Sequence, residues 1–327
     1  MSKIVTIFGG SGFLGRYIAR RMALQGWRVK VAVRNPNEAL FVKTFGSVGQ
    51  VEPILCNIRD DKTVEEALNG SDAIVNCVGT FDKTGKNNFK AIQSEGAVRI
   101  ARLAVKTGIS RMVHISSIGA SPDSTSVYSR TKANGENGIL EHLPNSVILR
   151  PSVIFGPEDQ FFNRFAAMSK LSPFVPLIGA DTKFQPVYVD DVAHAAAEAV
   201  TGNVGSGVYE LGGPEVVSFE NLMRRMLSVI KRNRIILKVP FFAAHFMAWA
   251  FDFLQHISFG IFKNAIVTPD QVKSLTVDNV VSGNYKSFDD IGIIPTSLNA
   301  VLPSYLWSHR PSGQFSAIKD SAEKLKK

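Results

Sequence analysis

The chain has 327 residues, of which 45% are hydrophobic and 20% are charged. This composition excludes a wholly disordered or fibrous protein and leaves enough apolar residues for a sizeable core. The formal net charge of +9 favours an anionic neighbour, which could be a phosphorylated ligand, an acidic protein surface, an anionic membrane or nucleic acid.

Apolar runs of strand length alternate with helical patterns through the first half of the chain. These runs are residues 4–8, 29–33, 53–56, 73–78, 112–115 and 147–149. Continuous apolar strands separated by helices indicate parallel βαβ units. We therefore predict an α/β fold with a Rossmann-type doubly wound parallel sheet over residues 1–150 as the core domain. A smaller, mixed and mainly helical C-terminal lobe is interleaved with the remainder of the core over 151–310, and a basic tail occupies 311–327.

The cysteines and the N-terminus bear on the cellular compartment. Cys56 and Cys77 both fall in predicted strands, and two such thiols do not make a disulfide framework. The residues before the first strand are too few for the apolar region of a signal peptide. We therefore expect a chain that works in the reducing cytoplasm.

A glycine-rich turn follows the first predicted strand, and an amphipathic pattern typical of a helix follows the turn. Glycine lets the backbone approach a pyrophosphate closely, and the N–H groups that begin a helix point at that anion. This order of strand, turn and helix predicts a dinucleotide site. Its predicted cofactor contacts are Gly9, Ser11, Gly12, Phe13, Leu14 and Gly15.

The end of the second strand bears on which dinucleotide binds. A carboxylate there would accept the ribose 2′-hydroxyl of NAD(H). Arg34 occupies that place, and Arg16 directly follows the last glycine of the turn. Because a guanidinium pairs well with a phosphate, we predict NADPH as the cofactor. The alternative is that both arginines are simply solvated.

Later strand ends extend the predicted cleft. Asn57 and Ile58 follow the third strand, and Val78 and Gly79 end the fourth. In a doubly wound sheet the ligand lies outside these carboxyl ends. We expect Asn57 to bond the adenine, and Val78 and Gly79 to let the adenosine pass close to the backbone. Ser116, at the end of the fifth strand, is a further predicted contact.

Tyr128 and Lys132 are the candidate catalytic residues. Positions four apart share one face of a helix, so both side chains can reach one nicotinamide ribose. A nearby ammonium lowers the pKa of a phenol, which would let Tyr128 act as an acid or a base.

These motifs, with residues 76–79, 150–156 and 189–192, resemble the extended, epimerase-like branch of the short-chain dehydrogenase/reductase superfamily. Residues 151–163, 185–192 and 307–310 are similar to the NADPH-binding accessory subunits of respiratory complex I, NADH:ubiquinone oxidoreductase. The resemblance implies a bacterial relative with a structural NADPH that does not turn over. It also implies cofactor contacts reaching Pro151 and Val153, partner subunits in the peripheral arm near its junction with the membrane arm, and a peripheral position on the cytoplasmic face of the inner membrane.

Active members of the branch carry a serine or threonine beside the tyrosine. The register of this sequence puts Ile118 in that place, with Ser117, Ser121 and Ser124 as other candidates. We therefore predict that Tyr128 and Lys132 clamp the cofactor and are vestigial as catalysts. A free-standing NADPH-dependent reductase, a sugar-nucleotide epimerase or dehydratase, and a reversible NADPH sensor remain the alternatives.

The second half of the sequence carries a basic stretch and then an aromatic one. Residues 221–251 contain no acid, and 16 of the 22 residues in 241–262 are apolar, eight of them aromatic. Asp252 argues against a transmembrane span. The segment is either buried in its own lobe or docks on a partner or a membrane surface. The histidines show no metal-ligand spacing, and no nucleic-acid motif is present.

Overall fold

The computed structural model describes residues 2–82, 85–243 and 269–315. The chain divides into two compact units. The first comprises Met1–Ser152, Val189–Gly212 and Val281–Pro295, and the second comprises Val153–Tyr188, Gly213–Val280 and Thr296–Lys327. The predicted aromatic segment lies outside the described residues from position 244 onward, as does the basic tail from position 316.

The regular elements can be given in chain order. The strands are β1 (Ile4–Phe8), β2 (Arg28–Val33), β3 (Val51–Leu55), β4 (Ala73–Asn76), β5 (Met112–Ile115), β6 (Val147–Pro151), β7 (Ile154–Phe155), β8 (Phe174–Ile178), β9 (Lys183–Phe184), β10 (Val187–Tyr188), β11 (Gly207–Leu211), β12 (Val217–Ser218) and β13 (Ile235–Val239). The helices are α1 (Phe13–Leu24), α2 (Asp61–Leu68), α3 (Ala97–Lys106), α4 (Val127–His142), α5 (Phe162–Leu171), α6 (Val189–Thr201), α7 (Phe219–Val229), α8 (Pro269–Ser274) and α9 (Leu298–Leu306).

One seven-stranded sheet organises the first unit. Its order is β11-β6-β5-β4-β1-β2-β3, and every pairing is parallel. The predicted Rossmann-type fold is therefore confirmed. The strand order reverses between β1 and β4, and such a reversal opens a crevice at the carboxyl ends of the strands.

The seventh strand, β11, is not among the predicted runs, because its sequence carries a charge. The Glu210 carboxylate lies 4.0 Å from the Arg150 guanidinium, and both side chains are buried. Arg150 also pairs with Glu136 at 2.5 Å. This ionic cluster places a charged residue inside a central layer, which the local pattern of apolar residues does not reveal.

The second unit is built differently, from helices α5, α7, α8 and α9, pairs of short strands and an aromatic core. β7 pairs with β10 and β8 with β13 in parallel, whereas β9 pairs with β12 in antiparallel fashion. Phe219 lies at the centre of the core, with ring centroids 5.5 Å from Phe161, 5.5 Å from Phe165 and 5.3 Å from Phe184. Of the helices in the described ranges, none has the length and apolar character needed to cross a membrane.

Candidate functional site

A cleft of about 610 Å³ lies in the first unit, where strands β1 to β4 end. Its volume falls within the range typical of small-molecule sites. Eight of the predicted cofactor residues line it, namely Gly9, Ser11, Gly12, Arg34, Asn57, Ile58, Val78 and Gly79. The backbone topology therefore brings together residues from four separate stretches of sequence.

The glycine turn has the geometry of an anion cradle. Gly9 has a φ of +75°, which favours glycine, and its carbonyl accepts a hydrogen bond from the Gly12 amide at 3.0 Å. A side chain at Gly15 would overlap the Gly9 carbonyl oxygen and lie 2.8 Å from the Cα of Gly10. Gly15 therefore serves the close packing of α1 on the turn, and Gly12 caps α1 without a side chain in the way of a ligand.

Phe13 and Leu14 lie just past the turn, at the start of α1. The Phe13 ring packs edge-on against Tyr17, with centroids 6.3 Å apart. Leu14 is buried in the core. Neither side chain is part of the cleft lining in the described residues, so the contacts predicted for these two positions would come from their backbone amides.

The two arginines predicted to meet a 2′-phosphate have different surroundings. Arg34 is exposed and lines the cleft. Arg16 instead donates to the carbonyl oxygens of Ser11 at 3.1 Å and Gly12 at 3.3 Å, and its guanidinium lies 4.9 Å from the centroid of the Phe41 ring. Arg16 therefore holds the glycine turn, and Arg34 is the cation among the described residues that line the cleft.

The end of β4 joins the cleft to the interior. The Asn76 side chain accepts from the Val78 amide at 3.1 Å and bonds His114 Nδ1 at 3.1 Å. Burial, and secondarily the Lys132 charge, hold the pKa of His114 well below its usual value. A Cβ added at Gly79 would have the Lys132 ammonium as its nearest neighbour, 4.0 Å away. Gly79 thus keeps the space in front of this ammonium open.

Lys132 and Tyr128 both lie on α4, as the spacing predicts. Lys132 is buried, and its Nζ donates to the Ile115 carbonyl at 3.0 Å. Burial lowers the pKa of Lys132 to about 8, against smaller raising effects of Glu136 and Cys77. A protonated amine so close to Gly79 can hold ribose hydroxyls while still bonded to the end of β5.

The surroundings of Tyr128 differ from the prediction. Its ring is stacked on Phe81, with centroids 5.7 Å apart and planes 9° apart, and meets Phe89 edge-on at 5.8 Å. Burial raises the pKa of the Tyr128 phenol, and a nearby Ser117 hydroxyl only partly offsets this. The expectation that Lys132 lowers this pKa is therefore wrong, because desolvation of the phenolate is the larger effect.

The structure also corrects the residue that stands beside the tyrosine. Ser117, not Ile118, has its side chain near the Tyr128 hydroxyl, although within the described part of the chain Ser117 Oγ has no partner of good hydrogen-bond geometry. Ile118 is buried, and its amide donates to the Pro151 carbonyl at 3.1 Å. The turn after β5, where Gly119 has a φ of +80°, sets this orientation.

The remaining predicted contacts fall in three places. Ser116 Oγ is buried and has no hydrogen-bond partner among the described groups. Pro151 ends β6, at the same sheet edge. Val153 begins the second unit, where its amide donates to the Asn279 side chain at 3.0 Å.

Phe81 and Glu38 are two of the residues of this region that are not among the sequence predictions. Phe81 follows β4 and is 74% exposed despite its stack on Tyr128. Glu38 lines the same cleft as Arg34. The signal for Glu38 was an acid four positions after Arg34, whereas nothing in the sequence pairs Phe81 with Tyr128.

Two thiols also line the cleft, although the sequence did not predict them as cleft residues. Cys56 and Cys77 are both free and both line the cleft. Burial raises the pKa of Cys56 to about 11 and that of Cys77 to about 12, so both are neutral thiols at pH 7. No group of three potential metal ligands occurs within the described ranges.

Comparisons with known proteins place the chain in a family. The NAD dependent epimerase/dehydratase family matches residues 5–212. The chain is 34% identical to the alpha subcomplex subunit 9 of mitochondrial NADH dehydrogenase (ubiquinone) from Arabidopsis thaliana, over 95% of this chain and 79% of that protein. It is 30% identical to the mitochondrial NADH-ubiquinone oxidoreductase 40 kDa subunit of Neurospora crassa, over 95% of this chain and 80% of that one.

A solved structure supports the fold across nearly the whole chain. The Bordetella bronchiseptica enzyme WbmH, in complex with NAD+, matches with a TM-score of 0.68 and 18% identity, covering 96% of this chain and 100% of that one. At this identity the match bears on the fold alone. Together, the family match over residues 5–212 and the two relatives that span 95% of the chain show that the chain belongs to the NAD dependent epimerase/dehydratase family, in the group of the alpha subcomplex subunit 9 and 40 kDa subunit proteins.

Proposed function

We propose that this protein is a non-redox accessory subunit of respiratory complex I that holds a structural NADPH and supports assembly or stability of the peripheral arm. The observation that carries the proposal is the similarity to complex I subunits over 95% of the chain, well beyond the stretch common to the whole family. Under this proposal the partners are other complex I subunits near the junction with the membrane arm. The place of action is the cytoplasmic face of a bacterial inner membrane.

The residues of the cleft fit NADPH. Gly9, Gly12 and the first amides of α1 suit its pyrophosphate, and Arg34 suits the 2′-phosphate. The Lys132 ammonium is placed to hold the nicotinamide ribose. Bound NADPH could supply hydride chemistry in principle, but a ligand that binds only the folded state also stabilises that state by mass action.

Several features favour retention of the cofactor over turnover. The raised pKa of Tyr128 keeps its phenol protonated, so it is a poor base near neutral pH. Phe81 covers one face of the Tyr128 ring, where it narrows the room for a substrate. Tyr128 and Lys132 are then best described as a clamp on the ribose.

An exposed apolar face in the second unit supports a docking role. Ile235 on β13 stands opposite Phe174 on β8, and Leu237 stands opposite Pro176. Ile235 is 59% exposed, while Phe174 and Leu237 are exposed by more than two fifths. Apolar side chains grouped in this way often mark an interaction surface.

Three cations come shortly before β8 and β13 in the chain. Lys170, Arg232 and Arg234 donate to backbone carbonyls of Ser308, His309 and Ser169, which fixes their positions. Burial, and then the charges of Lys170 and Arg232, lower the pKa of His309, which indicates a positive local potential. Such a surface suits the acidic rim of a partner subunit or anionic lipid headgroups.

The test of the main proposal is affinity purification of the tagged chain from membranes in mild detergent. We expect respiratory complex I subunits to co-purify, and acid extraction of the sample to release NADP(H). A clean soluble monomer or dimer would contradict the accessory role. Release of NAD(H) alone would contradict the NADPH assignment.

A variant of the apolar face tests the docking surface. Ile235→Ser with Leu237→Ser should reduce co-purification of complex I subunits while bound nucleotide remains stoichiometric. Leu24→Ser with Val48→Ser is a matched control, because these exposed apolar side chains belong to the first unit. Equal losses in both double variants would mean that exposed hydrophobicity in general, and not this face, mediates attachment.

The second candidate function is an NADPH-dependent reductase, and the observation that favours it is Ser117 beside Tyr128. Tyr128→Phe separates the two functions. A clamp predicts looser NADPH with respiratory electron transfer nearly unchanged. A reductase predicts a loss of about 10²–10⁴-fold in turnover of a carbonyl substrate with the nucleotide still bound.

A further inference from the structure

Glu38 stands at the end of the cleft where the adenosine ribose of a dinucleotide would lie. It lines the same cavity as Arg34 and Asn35, just after β2. Its backbone amide donates to the Asn35 carbonyl at 3.2 Å, so the chain turns back at this point. A carboxylate is therefore present in the cleft just after β2, although Arg34 occupies the position where an acid would recognise NAD(H).

The Glu38 carboxylate is also held in place. Asn35 Nδ2 donates to Glu38 Oε1 at 2.7 Å, which leaves the second carboxylate oxygen available as an acceptor. A carboxylate bonded in this way can accept a hydrogen bond from a ribose 2′-hydroxyl. The guanidinium of Arg34, in the same cleft, can instead pair with a 2′-phosphate. The cleft therefore carries one group that favours NAD(H) and one group that favours NADP(H).

We propose that Glu38 is a specificity-determining residue that admits NAD(H) to this cleft beside NADP(H). Glu38 accepts a hydrogen bond from the 2′-hydroxyl of NAD(H), and it repels the 2′-phosphate that Arg34 attracts. The preference for NADPH is then smaller than Arg34 alone would give. The inference rests on the proposed function only in requiring that the cleft binds a nicotinamide dinucleotide.

The expected change in the dissociation constant follows from the charges of Glu38 and Arg34 and from their exposure to solvent. Both side chains are exposed, so their interactions with a ligand are those of a high-dielectric surface. One unit charge about 4 Å from another in such a medium changes a dissociation constant by about fivefold. A change of that size is measurable, and it is too small to be confused with loss of the fold.

The experiment is titration of the purified, nucleotide-stripped full chain with NADPH and with NADH, followed by cofactor fluorescence. Glu38→Gln should tighten NADPH about fivefold through loss of repulsion, and weaken NADH about fivefold through loss of a charged acceptor. The ratio of the two dissociation constants should therefore move by about 25-fold. Glu66→Gln, which changes an exposed carboxylate on α2, is the matched control and should leave the ratio unchanged.

Two further measurements test whether the change in selectivity is electrostatic. In Arg34→Gln the ratio should move the other way, because the attraction for the 2′-phosphate is lost. Raising the salt concentration should shrink the Glu38→Gln effect on NADPH, since screening shortens the reach of exposed charges to about 8 Å at physiological ionic strength.

The inference is overturned if Glu38→Gln leaves the ratio as it is in the unaltered chain, or changes both dissociation constants equally. In either case binding itself persists and the proposed NADPH site stands. If the unaltered chain binds neither dinucleotide, the proposed function fails and this inference fails with it.

Discussion

The two units reach stability by different means, although one chain passes through both. The first unit buries the strands of a single parallel sheet, and its largest interior side chains include Phe8, Ile74 and Met112. The second unit pairs strands of only two to five residues and depends on an aromatic core around Phe219. The first unit packs its apolar core on one continuous sheet, whereas the second unit packs much of its core among aromatic rings.

This difference matters for function. The cleft depends on where strands end and on glycines, which are features that a whole family can share, and the family match covers residues 5–212. The similarity to complex I subunits runs on over 95% of the chain and so takes in most of the second unit. We infer that the first unit supplies the common nucleotide chemistry, and that the second supplies what is particular to this group.

The sharpest test of this comparison is Phe219→Ala. Removing a fully enclosed phenylalanine from a core costs about 3–5 kcal/mol of unfolding free energy. We expect that loss in denaturant unfolding, with NADPH affinity unchanged where the protein is still folded, because the residues that line the cleft all belong to the first unit.

Phe174→Ala is the control for that experiment. Phe174 is also in the second unit but is 43% exposed, so its loss should cost much less. If Phe219→Ala weakened NADPH binding in protein that circular dichroism shows to be folded, the two units would not be energetically separable in the way proposed here.

Gly15→Val probes the first unit in the same way. The new side chain would overlap the Gly9 carbonyl and press on Gly10, and overpacking of this kind costs about 1–3 kcal/mol. We expect a lowered melting temperature together with loss of measurable NADPH binding, because the turn itself must move. Gly205→Ala, where an added Cβ meets only the Lys286 ammonium at 3.8 Å, should change neither property. A Gly15→Val protein that bound NADPH normally would remove the close-packing argument.

The most gradual predicted effect concerns the titration of Lys132. Burial lowers its pKa from 10.5 to about 8 in the folded chain. Between these values the unfolded chain binds more protons than the folded chain, so the free energy of unfolding rises with pH across this window. The slope is at most about 1.4 kcal/mol per pH unit.

The measurement is denaturant unfolding of nucleotide-free protein from pH 8 to pH 10, compared with Lys132→Met. The difference between the two curves isolates Lys132 from other groups that titrate in this range. Parallel curves would show that Lys132 has an ordinary pKa in the folded protein, and its description as a buried ammonium would have to be abandoned.

The parallel sheet, the dinucleotide cleft and the helix of Tyr128 and Lys132 could be predicted from the sequence alone. Apolar runs alternating with helices specified the parallel sheet, because buried parallel strands need apolar residues on both faces. The glycine turn and the end of β2 specified a dinucleotide cleft with Arg34 in its lining. The spacing of Tyr128 and Lys132 put both on one helix, since helical periodicity is a local property.

Two kinds of feature were decided only by the tertiary structure. One is the direction in which a side chain points in the turn after a strand, and the other is contact between residues that are distant in sequence. The turn after β5 brought Ser117 and not Ile118 to Tyr128, and the turn after β2 brought Glu38 into the cleft that Arg34 also lines. The buried charge of Glu210 on β11 is met by groups far away in sequence, because its carboxylate lies 4.0 Å from the Arg150 guanidinium and accepts from the Ser282 amide at 2.6 Å. Periodicity reports which face of an element is buried, whereas turn geometry and long-range pairing arise only when the whole chain has folded.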